Sequence, residues 1–267
     1  MSENWKHIAR KATLGLLLIG VLVGAYLLGA SRKGKTVCNR IDITILDSLK
    51  TPFVTSESIR QYLSTDYGRI IGVPIDSLDL HRMENVLNNK GAILSSEAYI
   101  TNAGTLSITI TQRKPALRFQ TAEYGFYCDV DGFLLPLQPN FSTDVLIIDG
   151  HIPLDMADCE KGRPEDPADC MWLDSILKMA SYINSSSIWN NRIAQINCNG
   201  SGELTIVPKD GKEIFLFGHP DEIEQKFEKM KIYYERIVAE KGEEAYDKVD
   251  LRFKNQIVCK NSEQKKK

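Results

Sequence analysis

What this sequence lacks narrows its chemistry before any motif is read. It has no surplus of either charge: 33 lysines and arginines stand against 35 aspartates and glutamates, a net of −2 at pH 7. A nucleic-acid-binding domain carries a basic patch or stripe, and the overall charge here argues for none, so no nucleic-acid partner is expected. Histidine is scarce. His7, His81, His151 and His219 fall in three different predicted units and read as surface or capping residues rather than as one metal site. No CxxC or CxxxC pair occurs, which leaves a zinc or thioredoxin-like reading with little support. The signatures G-x-x-x-x-G-K-[ST], G-x-G-x-x-G, H-E-x-x-H and G-x-S-x-G are all missing. These absences argue against an enzyme, and no cofactor, metal or small-molecule substrate is expected.

Charge-free runs are also rare, with one exception. Ala12 to Ala30 reads ATLGLLLIGVLVGAYLLGA, nineteen residues without a charge. At 1.5 Å per residue it covers about the 30 Å of a bilayer's hydrocarbon core, so residues 12–30 are a transmembrane-helix candidate. Lys6, Arg10 and Lys11 precede it and Arg32, Lys33 and Lys35 follow it, so the positive-inside count does not decide its orientation. The competing reading is a cleaved signal peptide. The run exceeds the usual apolar region of such a signal, and Leu28-Gly29-Ala30 is an imperfect cleavage site, so length favours an anchor. That anchor would leave residues 1–11 as a short tail, 31–36 as a linker and the rest as one body on one side.

All six cysteines, Cys38, Cys128, Cys159, Cys170, Cys198 and Cys259, fall in that body. An even count in an exported chain permits disulfides. Cys159 and Cys170 bracket the polar stretch EKGRPEDPAD, where a local staple and a pair of free thiols stand as equal readings.

The body reads as α+β. Ile41 to Leu46 alternates apolar and polar residues as a half-buried strand does. Thr55 offers an N-cap for a helix carrying Ile59, Tyr62 and Leu63, and Ser77 one for a helix carrying Met83, Val86 and Leu87. Ala98 to Thr101, the turn Asn102-Ala-Gly104 and the alternating Leu106 to Thr111 make a hairpin. This β-α-α-β-β unit ends near Pro115, since proline is awkward in a central strand. The second unit opens with Leu117 to Phe119 and with Gly125 to Val130, which Asp131-Gly132 turns into Phe133 to Leu137. Val145 to Ile148 reads as a buried strand and Trp172 to Ile183 as a helix. Strands follow at Glu203 to Val207 and Glu213 to Phe217, joined through Asp210-Gly211. A long helix after Pro220 carries the stripe Ile223, Phe227, Met230, Tyr234 and Ile237 and stops at Gly242. Val249 to Phe253 and Ile257 to Cys259 form a last strand or bulged pair before a charged tail, residues 261–267.

Two features invite a function. Asp129-Val-Asp131 matches the D-x-D with which membrane-anchored type II glycosyltransferases hold a cation and a nucleotide sugar through hard oxygens. Asp131 directly precedes Gly132 between two apolar runs, however, and an aspartate there most simply serves the turn. The second feature is the final strand, because a strand closing a sheet at the end of a chain leaves an unpaired edge that can accept another chain.

The order and the motifs resemble the bacterial cell-division FtsQ/DivIB family across nearly the whole chain. Gln112-Arg-Lys-Pro115-Ala resembles that family's E-R-x-P segment at the end of its polypeptide-transport-associated (POTRA) module, with Gln for Glu. Tyr127-Cys-Asp129-Val-Asp131-Gly132 resembles the strand and turn opening the family's β domain. Asp250-Leu-Arg-Phe253 resembles its D-L-R-Y, with Phe for Tyr, which removes a hydroxyl. The resemblance implies a POTRA-like domain over 37–113 and a β-rich domain with two helices over 114–260. It implies a non-enzymatic scaffold of the inner membrane and division septum, with a cytoplasmic N-terminus and its bulk outside. It further implies docking of FtsB- and FtsL-type coiled-coil proteins on the last strand through Val249, Leu251, Phe253, Asn255, Ile257 and Cys259, with Phe253 and Asn255 in direct contact. POTRA-like modules also occur in envelope transport adaptors, which remain a second alternative beside the glycosyltransferase.

Overall fold

The computed structural model describes residues 15–26, 36–46, 53–138, 141–155, 162–242 and 245–261. Residues 15–26 form a first helix, α1, whose large apolar side chains between Leu16 and Val23 are exposed. Among the described residues, no helix is long and apolar enough to cross a membrane. Residues 12–14 and 27–30 of the expected span lie outside the described residues, as do the tail 1–11, Cys159 and residues 262–267. The chain divides into two compact units, residues 1–112 and 113–267.

In the first unit, β1 (Arg40–Leu46) is followed by α2 (Ser56–Tyr62), α3 (Leu80–Asn88) and the hairpin β2 (Ile93–Ile100) and β3 (Thr105–Gln112). The strands form one sheet in the order β1-β3-β2, with β1 parallel and β2 antiparallel to β3. The expected β-α-α-β-β order is present. Thr55 caps α2 through a reciprocal pair with Ser58. The second cap differs from expectation: Ser77 ends a 3₁₀ turn, and Asp79 caps α3 by accepting from the Arg82 amide at 2.9 Å. Leu78 is extended between them, which moves the start two residues on. Ile59, Leu63, Met83 and Leu87 are buried, as are Leu106, Ile108 and Ile110 of β3.

The second unit holds a nine-stranded sheet. Its strands are β4 (Pro115–Gln120), β5 (Gly125–Asp129), β6 (Leu134–Pro136), β7 (Leu146–Gly150), β8 (Ile193–Cys198), β9 (Leu204–Pro208), β10 (Ile214–Gly218), β11 (Lys248–Asp250) and β12 (Val258–Lys260). They lie in the order β12-β11-β10-β9-β8-β7-β4-β5-β6. Pro115 is the first residue of β4, where a missing donor is tolerated. Helices α4 (Pro167–Ser185), α5 (Trp189–Arg192) and α6 (Ile223–Ile232) complete the unit. Asp166 caps α4 by accepting from the amides of Ala168 and Asp169. Leu173, Ile176, Met179, Ala180 and Ile183 of α4 and Phe227 and Met230 of α6 bury with Phe119, Phe126, Ile148, Ile196, Ile206, Phe215 and Phe217 of the sheet in one core. Large side chains of this kind stabilise a fold by about 1.5–3 kcal/mol each when fully buried.

Two differences from the sequence reading have local causes. Strand β8 and helix α5 are absent from that reading. The register of β8 against β9 shifts between Ile193 and Gln195, so its buried residues are Ile193, Ile196 and Cys198 and the period-two pattern is lost. On α6, the chain passes into a π-helical segment over Tyr233–Val238. The wider turn rotates the stripe, so Tyr233 rather than Tyr234 is fully buried. Cys170 is unbridged, and its thiol donates to the Pro164 carbonyl at 3.0 Å.

Candidate docking edge

Sheet edges present backbone donors and acceptors that another strand can use, unless the fold covers them. The two sheets have four such edges. On β2, the Ala98 amide donates to the Glu84 carboxylate at 2.8 Å. On β1, the Ile41 carbonyl accepts from the Arg60 guanidinium at 3.0 Å. On β6, Leu134 donates to the Gly162 carbonyl, and Pro136 has no amide hydrogen to offer. Helix side chains, a neighbouring loop and a proline thus each engage or remove a backbone group on three of the four edges.

The fourth edge is β12, which pairs only with β11 among the described residues. The expected last strand or bulged pair is a hairpin: β11 runs parallel to β10, residues 251–257 connect, and β12 returns antiparallel to β11. Backbone groups of successive strand residues point to opposite sides. Leu251 donates to the Leu216 carbonyl at 3.0 Å, so the odd-numbered residues of β11 turn toward β10. Lys248 and Asp250 then face β12, and their partners Lys260 and Val258 direct their groups back to β11. The amide and carbonyl of Cys259 point away from β11 at the outer side of the sheet.

The six expected contact residues separate accordingly. Val249 and Leu251 are wholly buried and belong to the core. Phe253 is 49 % exposed, and Asn255 is exposed with a left-handed φ of 57°. Ile257 and Cys259 are half-buried. Burial raises the pKa of the Cys259 thiol. The connection is held at its base. The Lys229 ammonium donates to the carbonyls of Leu251 at 2.8 Å and Phe253 at 2.7 Å, and desolvation lowers its pKa. Asp250, 2 % exposed, accepts from Arg252 Nε at 2.9 Å, from its other guanidinium nitrogen at 2.8 Å and from its amide at 3.1 Å. These bonds to Arg252 hold the Asp250 carboxyl below the usual carboxylate range. Beside the connection, Tyr182, Gln225, Lys229, Ile232, Asn255 and Ile257 line a groove of about 960 Å³. The sequence reading missed Lys229, because a cation that binds backbone carbonyls twenty-two and twenty-four residues away leaves no local pattern.

The D-x-D pair has another task. Asp129 is 3 % exposed. One of its oxygens accepts from the amides of Asp131 at 2.9 Å and Phe133 at 2.8 Å, and the other meets Arg113 at 2.7 Å. The Arg113 guanidinium lies 3.8 Å from the centre of the Phe133 ring. A carboxylate so engaged closes the β5–β6 turn and is not directed at a ligand. The Gln112 side chain, also buried, accepts from the amides of Phe53 and Val54 at 3.1 and 3.3 Å. The task needs only a side-chain acceptor, which Gln supplies as well as Glu.

Fold and edge define a class: a two-unit α+β protein whose larger sheet ends in a strand that pairs on one side only among the described residues. Family models match both units, a POTRA-like domain over residues 36–111 and "FtsQ/DivIB, C-terminal related" over residues 114–260, more than half of the chain. The chain belongs to the FtsQ/DivIB family and is a cell-division protein of that family. Comparison with curated proteins finds no match.

Proposed function

We propose that this protein is a non-enzymatic scaffold of the division machinery, which docks FtsB- and FtsL-type coiled-coil proteins by strand addition to β12. The observation that carries the reading is the contrast between edges. Those of β1, β2 and β6 each have a backbone group engaged or removed by Arg60, Glu84, the Gly162 carbonyl and Pro136, whereas Cys259 turns its backbone groups outward. An added strand gains main-chain hydrogen bonds for affinity and side-chain contacts for specificity. Phe253 and Ile257 supply apolar contact beside the edge. Lys229 and the Asp250–Arg252 pair hold the hairpin in place before the partner arrives, which lowers the ordering cost of association.

In this reading residues 12–30 anchor the chain in the inner membrane at the septum, with residues 1–11 in the cytoplasm and both units outside.

Capture from solubilised membranes by the full-length chain tests the docking. Wild type should recover small coiled-coil division proteins. Cys259→Pro, which removes the outward donor while leaving the β11 pairing groups intact, should lose them with the fold unchanged. Retention of the same partners by a folded Cys259→Pro protein would refute docking at β12.

A further inference from the structure

Just beyond the C-terminal end of α6, the second unit buries a carboxylate that has no ion-pair partner among the described residues. Glu213 is 3 % exposed, and among the described residues it forms no ion pair. Its Oε2 atom is enclosed without a well-formed hydrogen bond, and the Tyr234 hydroxyl, also enclosed, lies beside the carboxylate and beside Arg192. Both side chains line a cavity of about 180 Å³ together with Arg192, Asp210, Gly211 and Val238. The cavity lies against the π-helical segment Tyr233–Val238, an irregularity that often accompanies functional sites. Gly211 adopts φ 98°, and a Cβ at that position would strike the Glu213 carboxylate. The close approach of the 210–212 turn to Glu213 therefore requires glycine.

An isolated carboxylate is costly to bury, so the cavity's chemistry calls for a cation. Enclosed water would satisfy hydrogen bonds but leave the charge uncompensated. Arg192 lines the same cavity, but its guanidinium lies over the Tyr234 ring, 4.4 Å from the centroid, and makes no direct ion pair with Glu213 among the described residues, which leaves room for a second cation at the carboxylate. A divalent metal lacks ligands, since no group of three His, Cys, Asp or Glu suited to a metal occurs among the described residues. The donor set suits an ammonium group, whose three N–H donors match the carboxylates of Glu213 and Asp210 and the oxygen of Tyr234. Val238 and the Tyr234 ring supply apolar wall for a methylene stem.

We infer that this cavity recognises a primary alkylammonium group, either a lysine side chain presented by another polypeptide or a small free amine. It is independent of strand addition at β12.

Calorimetric titration of the full-length protein with n-butylammonium chloride, at fixed ionic strength, tests the site. Saturable binding is expected with butylammonium and none with n-butanol or with potassium chloride. Glu213→Gln, nearly isosteric, should weaken binding by about tenfold or more and Tyr234→Phe several-fold, as loss of a charge-assisted and of a neutral hydrogen bond imply. Unchanged melting of both variants without amine would show that the fold survives. Tighter binding of an acetyl-Gly-Lys-Gly-amide peptide assigns the site to polypeptide lysine, and equal binding assigns it to small amines. Absence of saturable binding, equal binding by folded Glu213→Gln, or equal binding of potassium would overturn the proposal.

Discussion

Arg252 closes a two-pronged ion pair on Asp250, 2.9 and 2.8 Å, two residues away along the chain and at the base of the connection between β11 and β12. The pair is half-sheltered: Asp250 is buried, while the Arg252 side chain is 43 % exposed and also approaches Glu203 at 3.6 Å. The aliphatic part of Arg252 lies over Gly218, where an added Cβ would come within 2.8 Å of it. This gives the Asp-Leu-Arg motif a physical meaning: it fixes the direction in which the chain leaves β11 and so places β12.

Removing either partner should loosen that exit. Arg252→Ala leaves Asp250 buried without its counter-ion, and we expect a loss of about 1–3 kcal/mol in chemical unfolding. The folded pKa of Asp250 is depressed by its bonds to Arg252. Its contribution is therefore complete above its unfolded value of about 3.9 and is lost as pH falls through the lower folded value. Melting curves of wild type and Asp250→Asn should be well separated at neutral pH and converge as pH falls below about 4.

Glu84 should matter to the first unit's edge. Glu84→Ala frees the Ala98 amide of β2, and hydrogen exchange at that amide should accelerate by about tenfold, with the core amides of β3 unaffected. The expected stability cost is about 1 kcal/mol, the ordinary net worth of one hydrogen bond.

Asp129 separates a structural role from a catalytic one. Asp129→Ala removes the acceptor for two turn amides and the partner of Arg113, and should cost about 3 kcal/mol of stability. Asp131→Ala, whose backbone carbonyl rather than its carboxylate accepts from Arg163, should cost less than about 1 kcal/mol in the same assay. Nucleotide-sugar turnover abolished by either change in a folded protein would contradict the turn assignment.

The connection 251–257 constrains substitution through its backbone. Asn255 has φ 57°, which asparagine and glycine tolerate and β-branched residues do not. Asn255→Gly should be close to neutral, and Asn255→Val should destabilise by about 1–2 kcal/mol, measured by denaturant unfolding.

Local periodicity made much of this fold legible. The Thr55 cap, the alternation in β1 and β3 and the apolar spacing of α4 are signals within a few residues of one another. What escaped depends on groups distant in sequence or on broken periods. The bulge in β8 shifts its buried residues out of alternation, and the π segment rotates the α6 stripe by one position. At the candidate edge, sequence placed two closing segments near the end of the chain but left open whether they form one strand or a pair, and which of them is outermost. Val249 and Leu251 lie in the core, and Cys259 stands outermost, because β11 inserts parallel to β10 and only its return strand is peripheral. Neither the Lys229 anchor nor the bonds of Arg60 to β1, Glu84 to β2 and Leu134 to Gly162 have a sequence signature, since each joins residues brought together only by the fold.

The most direct test of docking at β12 is residue-resolved hydrogen exchange on the full-length protein, alone and with an FtsB- and FtsL-type pair. The account predicts strong slowing at the Cys259 amide, which faces outward, with little change at Lys260 or at Ala98 of β2. A complex that forms while Cys259 exchanges at its free rate would contradict docking on this edge.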